Sequence, residues 1–200
     1  MHDIFQFQEP IGIFDDKTID INLMLEKIYN IRKTEPKSDN CSNLHGWQKH
    51  LDSQHFQPFV EKILINFKHY IKDALGPYRN CILPSAIIKN MFCNINPPGT
   101  SNIIHDHSGS HFSGVYWLQG PINSGDLMIM SPFRSSFLNH TNFAGKAVKQ
   151  RRGVEKNHSS IRLRPCEGSG TFFNSSLVHF TDINRSDSDR ISIAFNIDMI

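Results

Sequence analysis

The 200-residue chain offers little to tie it to a secreted, membrane or nucleic-acid setting. Its four cysteines, Cys41, Cys81, Cys93 and Cys166, stand far apart with no CxxC pair. That spacing fits reduced thiols better than a disulfide frame or a zinc knuckle. "MHDIFQFQEP" at the N-terminus lacks a basic segment followed by an apolar one, and no stretch approaches membrane-spanning length. A formal net charge of +2 is too small to draw the chain to nucleic acid or a membrane surface. Internal repeats and low-complexity tracts are absent as well. What remains is the expectation of a soluble, cytoplasmic protein, with residues 1–200 forming one domain around a real core.

The chain changes texture near residue 80. Residues 4–13, "IFQFQEPIGI", alternate up to a proline and predict an edge strand. Ile19, Leu23, Leu25, Ile28 and Ile31 recur at helical spacing, and residues 34–43 form a polar loop. A second helix is predicted in "FQPFVEKILINFKHYIKDALG", where Phe59, Ile63, Phe67 and Ile71 make one stripe and Gly76 a stop. From residue 82 onward, short apolar runs such as "AIIKNMFCNI", "HFSGVYWL", "DLMIM", "SIRLR", "GTFFN", "SLVHF" and "RISIAFNI" are separated by turn-forming clusters. The expected fold is mainly β with flanking helices: residues 82–200 as a sandwich or jelly-roll core, and residues 1–80 supporting the outside of its larger sheet. Residues 146–164 carry seven Lys/Arg against one Glu. They are expected to be a solvated loop, with a cationic rim facing an anionic substrate as the functional alternative.

Histidine is the residue in excess, at eleven. In "NIIHDHSGSHFSGVYWL", residues 102–118, strand alternation predicts that His105 and His107 share a face while Asp106 points away. With this much histidine, chance alone supplies on the order of half an HxH pair, so the pair by itself proves little. The order of parts matters more. His179 follows in "FFNSSLVHFTDIN" at the exit of another apolar run, and eleven residues later Arg190 and Ser192 fall on one face of the final strand. Imidazole suits iron, zinc, copper and nickel alike, so ligand type does not select the metal. His111 shares the same alternation but is expected at the rim, and His140 and His158 sit in loop composition.

These elements resemble the 2-oxoglutarate and iron(II)-dependent oxygenases, and more closely a small-protein branch of them from bacteria and their phages. The resemblance is carried by "NINPPGTSNIIHDH" at 94–107, "SGVYWL" at 113–118, "SGDLMIMSP" at 124–132, "FFNSSLVH" at 172–179 and "RISIAFN" at 190–196, with "GWQKH" at 46–50 as a fainter upstream echo. It implies a double-stranded β-helix that binds Fe(II), 2-oxoglutarate and dioxygen. It further implies His105, His107 and His179 as metal ligands, with Arg190 pairing bidentately with the distal carboxylate of the oxoacid. Ser192, Asn94 and Tyr116 would add contacts to that cosubstrate, and no catalytic residue is implied beyond the ligands. The expected reaction is hydroxylation of an unidentified substrate with conversion of 2-oxoglutarate to succinate. One departure stands out: the wider superfamily has His-x-Asp/Glu…His, and the acidic position here is His107. Asp106 is then either a substitute ligand or an outer-sphere partner. That histidine keeps two alternatives open, a three-histidine cupin-like dioxygenase without an oxoacid and a non-catalytic jelly-roll binding protein.

Overall fold

The computed structural model describes residues 9–39, 41–76, 83–132, 148–151, 154–156 and 160–200. Its architecture follows from alternation in the longest strands. Strand β4 (Ala86–Asn96) sends Met91, Cys93 and Ile95 to one face and Asn90, Phe92, Asn94 and Asn96 to the other. β13 (Arg190–Met199) repeats the pattern, with Ile191, Ile193, Phe195 and Ile197 against Arg190, Ser192, Ala194 and Asn196. The two strands pair antiparallel, Arg190 opposite Asn96 and Asn196 opposite Asn90. β6 (Phe112–Gln119), β11 (Ser169–Asn174) and β1 (Gly12–Asp15) continue the sheet beyond β13, while β3 (Trp47–His50) lies at the other edge beside β4.

The apolar face of this six-stranded sheet is covered by α1 (Ile21–Thr34) and α2 (Gln57–Leu75). Asp20 caps α1 by accepting from the Leu23 N–H at 3.0 Å, and Arg32 and Lys33 complement the dipole in its last turn. Pro58 opens α2, and Gly76, at φ +50°, follows its end. The predicted stripe of Phe59, Ile63, Phe67 and Ile71 is buried against Met91, Ile193, Phe195 and their neighbours. Each such side chain contributes about 1.5–3 kcal/mol relative to leaving it in water.

The stripe on α1 differs from expectation. Starting the helix after Asp20 phases Met24 and Ile28 toward the sheet and leaves Leu23 46% exposed. The first strand also starts later than predicted, at Gly12. Pro10 lacks a ladder N–H, and its carbonyl instead accepts from the Tyr70 hydroxyl at 2.9 Å. Residues 4–8 of the predicted strand lie outside the described residues.

A second antiparallel sheet faces the first. Its order is β2 (Asn43–Leu44), β5 (Ser101–His105), β12 (His179–Thr181), β7 (Leu127–Met130), β10 (Ser160–Leu163), β9 (Val154–Lys156) and β8 (Val148–Arg151). Trp117, Leu127, Ile129, Leu163, Phe173 and Leu177 fill one end of the space between the layers. This is the expected mainly-β, double-stranded β-helix architecture. The helices back the six-stranded sheet and not the seven-stranded one, because the longer strands of the former carry the continuous apolar outer face. Within the basic stretch, residues 148–151 and 154–156 are paired strands rather than loop, and Arg162 pairs with Asp126 at 3.5 Å and Asp182 at 3.7 Å. Cys41 and Cys166 are exposed free thiols, and Cys93 is buried in the helix-side core, where burial pushes its thiol pKa up. Cys81, His140 and His158 lie outside the described residues, among which no helix is long and apolar enough to cross a membrane.

Candidate functional site

The end of the inter-sheet space that the aromatic and aliphatic cluster leaves unfilled is a cavity of about 560 Å³. His105, His107 and His179 meet on its wall. His105 and His179 are direct cross-strand partners between β5 and β12, so their side chains leave the same face of the sheet side by side. Their ring centroids are 4.3 Å apart, and those of His107 lie 4.9 Å from His105 and 5.1 Å from His179. His107 reaches the cluster differently from the way alternation predicts, since β5 ends at His105. Its backbone N–H donates to the Ser175 carbonyl at 2.8 Å, and that bond fixes the turn from which the ring projects.

One nitrogen from each ring falls within 4.8 Å of the others. Three imidazole nitrogens gathered at about 2.0–2.1 Å on one side of an ion stand about 3 Å apart, so closing the set draws the rings together by up to roughly 1.8 Å. The tautomers suit ligation. Nδ1 of His105 faces the Ile103 carbonyl at 2.7 Å and Nδ1 of His179 faces the Leu177 carbonyl at 2.9 Å. A carbonyl can only accept, so both Nδ1 atoms carry a proton, which makes Nε2 the ligating atom of each ring. Burial, reinforced by the neighbouring histidines, holds His107 down at about 4 and His179 at about 3. Both rings are therefore neutral near pH 7, as ligation requires. Asp106 is exposed, accepts from the Ser108 N–H at 3.2 Å and is not part of the cluster. The donor set fits a divalent metal that accepts imidazole.

At the floor of the cavity lies Arg190, 2% exposed and still cationic, though burial lowers its pKa to about 10. Nη1 donates to the carbonyls of Ser124 at 2.9 Å and Gly125 at 2.8 Å, and Nη2 donates to Thr181 Oγ1 at 2.8 Å. Gly125 has a φ of +91°, and a Cβ there would collide with the Asp182 carbonyl and sit 2.7 Å from Nη1. No carboxylate among the described residues comes within ion-pair distance of Arg190, since the nearby Asp126 and Asp182 face Arg162. A buried guanidinium without a carboxylate beside it is a ready anion site.

Ser192 and Asn94 line the same end. Among the described residues the Ser192 hydroxyl has no hydrogen-bond partner, and Asn94 Oδ1 accepts from Asn102 and Asn43, which leaves its Nδ2 available. Tyr116 departs from expectation. Its side chain lies on the opposite, helix-facing side of β6, where the hydroxyl donates to the Asp16 carbonyl at 2.8 Å. Trp117, one position on, takes the inward place by strict alternation. His111 stays at the surface against Asp198, 3.4 Å away.

Three contributors were not singled out from sequence. Thr181 Oγ1 accepts from both the Asn102 N–H and Arg190, each at 2.8 Å. Gln48 Oε1 accepts from the backbone of Cys41 at 3.0 Å and Ser42 at 2.9 Å, holding that segment against the floor. Asn102 links Ser42 to Asn94. For Thr181 a signal existed, because it lies two residues after His179 and so shares its face. Gln48 falls within the upstream "GWQKH" echo.

A family profile described as "Putative 2OG-Fe(II) oxygenase" matches residues 90–196, more than half of the chain. No curated protein matches. Among solved structures, a Pseudomonas putida prolyl-4-hydroxylase is similar at 13% identity and a TM-score of 0.58, over 96% of this chain and 94% of that one. A 2OG-Fe(II) oxygenase family oxidoreductase from Burkholderia pseudomallei is similar at 11% identity and a TM-score of 0.59, over 94% and 84%. HygX from Streptomyces hygroscopicus, solved with nickel and 2-oxoglutarate bound, is similar at 10% identity and a TM-score of 0.58, over 96% and 83%.

Proposed function

This chain belongs to the 2OG-Fe(II) oxygenases, and on that premise we propose that it hydroxylates a primary substrate while converting 2-oxoglutarate to succinate, with His105, His107 and His179 holding the iron. Fe(II), 2-oxoglutarate and dioxygen are the cofactor set of the family. When bound, the iron supplies the redox chemistry that couples loss of carbon dioxide from the oxoacid to oxidation of a substrate C–H bond. The protein's part is to hold, orient and shield. His105, His107 and His179 would hold the metal with three side chains and so would leave its other positions to small molecules. The carbonyls of Ile103 and Leu177 keep the ring protons on Nδ1 and so aim Nε2 of His105 and His179 at the metal.

Arg190 would hold the distal carboxylate of 2-oxoglutarate, with Ser192 and Asn94 donating alongside. Nη1 donates to the Ser124 and Gly125 carbonyls and Nη2 to Thr181 Oγ1 at 2.8 Å and Asn102 Oδ1 at 3.4 Å, so a fork grip would use Nε together with an Nη2 proton drawn from the longer Asn102 bond. The observation that carries this assignment is the pairing of two sites in one cavity, a three-imidazole cluster on the wall and, at the floor, a buried cation that Asp126 and Asp182 influence through space but do not contact as an ion pair among the described residues. A cupin-like enzyme without an oxoacid has no use for that cation. Anaerobic titration with Fe(II) and 2-oxoglutarate tests the proposal. A visible charge-transfer band should appear in the wild type, vanish in His179→Ala and require more oxoacid in Arg190→Lys. Iron binding with no response to the oxoacid would refute it.

A further inference from the structure

Beyond the histidines the cavity continues to Asn90 and Asn196, which face each other across β4 and β13 and which no cosubstrate role absorbs. Asn196 is 7% exposed, and among the described residues its one side-chain partner is Ser113, whose hydroxyl donates to Oδ1 at 2.8 Å. Ser113 Oγ also lies 2.8 Å from Ser175 Oγ. Because the Ser113 proton goes to the carboxamide oxygen, Ser175 must be the donor in that second bond. With Oδ1 accepting at the end of the chain Ser175→Ser113→Asn196, Nδ2 is the amide group left without a partner among the described residues, on a side chain that lines the cavity. Ser175 is the same residue whose carbonyl receives the His107 N–H, so this donor is tied to the metal wall through one residue. Among the described residues the side-chain amide of Asn90 has no partner, so it offers both a donor and an acceptor.

Charge argues against an ionic ligand here. Lys89, a cation lining this end, is held by Asp198 at 3.1 Å and by the Gly109 carbonyl at 2.6 Å, and the lining carboxylate of Asp106 is exposed and accepts from the Ser108 N–H at 3.2 Å. We propose that Asn196 and Asn90 form the recognition site for the primary substrate, and that the substrate presents a neutral carboxamide: its carbonyl accepts from Asn196 Nδ2 and its N–H donates to Asn90 Oδ1. This rests on the oxygenase reading and narrows it, replacing the anionic substrate that the basic residues 146–164 suggested.

The test uses the full chain loaded with Zn(II) and saturating 2-oxoglutarate, so that small anions cannot occupy the Arg190 floor. Side-chain amide signals of 15N-labelled protein are followed while acetamide, acetate and methylammonium are added in turn. The signals are assigned by their loss in Asn196→Asp and Asn90→Asp. Acetamide should shift both saturably, with a dissociation constant on the order of 10 mM for so small a probe, and at least about tenfold more tightly than either ion. Asn196→Asp should reverse the order in favour of methylammonium. Ser113→Ala, which frees the amide without removing it, should weaken the acetamide response by roughly threefold. Acetate matching acetamide, or no saturable response to any probe, overturns the inference. The 2-oxoglutarate titration on the same sample separates the two levels. Oxoacid binding without an acetamide response refutes the carboxamide site alone, whereas a folded, metal-loaded protein that ignores 2-oxoglutarate refutes the oxygenase assignment beneath it.

Discussion

Lysine at position 190 keeps the charge but brings three donors where arginine has five, and it has no planar edge. In the native protein the guanidinium serves the Ser124 and Gly125 carbonyls and Thr181 Oγ1 at 2.8–2.9 Å, all out of reach of bulk water. An ammonium that reaches any of them leaves others without their donor. Each orphan costs about 1–3 kcal/mol, so Arg190→Lys is expected to lower unfolding free energy by roughly 2–4 kcal/mol. The neighbourhood has no slack to absorb the change, because the Ser124 hydroxyl is already a buried group without a partner. The same substitution removes a charge-assisted bond to the oxoacid worth about 1.5–3 kcal/mol, which converts to a roughly 10- to 150-fold loss of 2-oxoglutarate affinity. Urea unfolding measures the first effect, and calorimetric titration of the metal-loaded protein measures the second. A variant that loses stability but binds 2-oxoglutarate within about twofold of wild type would make Arg190 a purely structural cation and refute the cosubstrate assignment.

Other substitutions divide the site further. His179→Ala should reduce divalent metal affinity by at least about a hundredfold, read by equilibrium dialysis with Co(II), whereas Asp106→Asn should change it by less than about threefold because Asp106 stands outside the cluster. Gly125→Ala should shift the backbone against Asp182 and displace Arg190, costing about 1–3 kcal/mol of stability by denaturant melts and weakening 2-oxoglutarate binding alongside. Tyr116→Phe removes one hydrogen bond, to the Asp16 carbonyl, and should cost about 1 kcal/mol of stability while leaving 2-oxoglutarate affinity as it was. A large loss of oxoacid binding in that variant would return Tyr116 to the site.

The helices and the longer strands were legible because a single period runs through each: the Phe59–Ile71 stripe at helical spacing, and the alternation of β4, β6 and β13. The metal cluster was legible for the same reason, with the exception of His107, which arrives from a turn pinned by Ser175 and not from strand geometry. The floor was harder to see. Asn90, Asn94 and Asn96 alternate with apolar neighbours, and that pattern describes equally a strand with one face in water and one whose polar face lines a closed cavity. Only the opposing sheet decides between them, and here it buries Asn94 and Asn96. Short strands such as β2 and β3, of two and four residues, are too brief to show a period at all.

The pairing of His105 with His179 ties metal capture to the correct closure of the seven-stranded sheet. A slip of one position between those strands would turn one imidazole to the far side of the layer, and with it every side chain of β12 would change face. The ion can thus be gripped only by a chain whose strands have already docked in the right alignment. During refolding, the onset of metal uptake will mark the moment at which β5 and β12 settle together, so a bound Co(II) spectrum can time that event without any label.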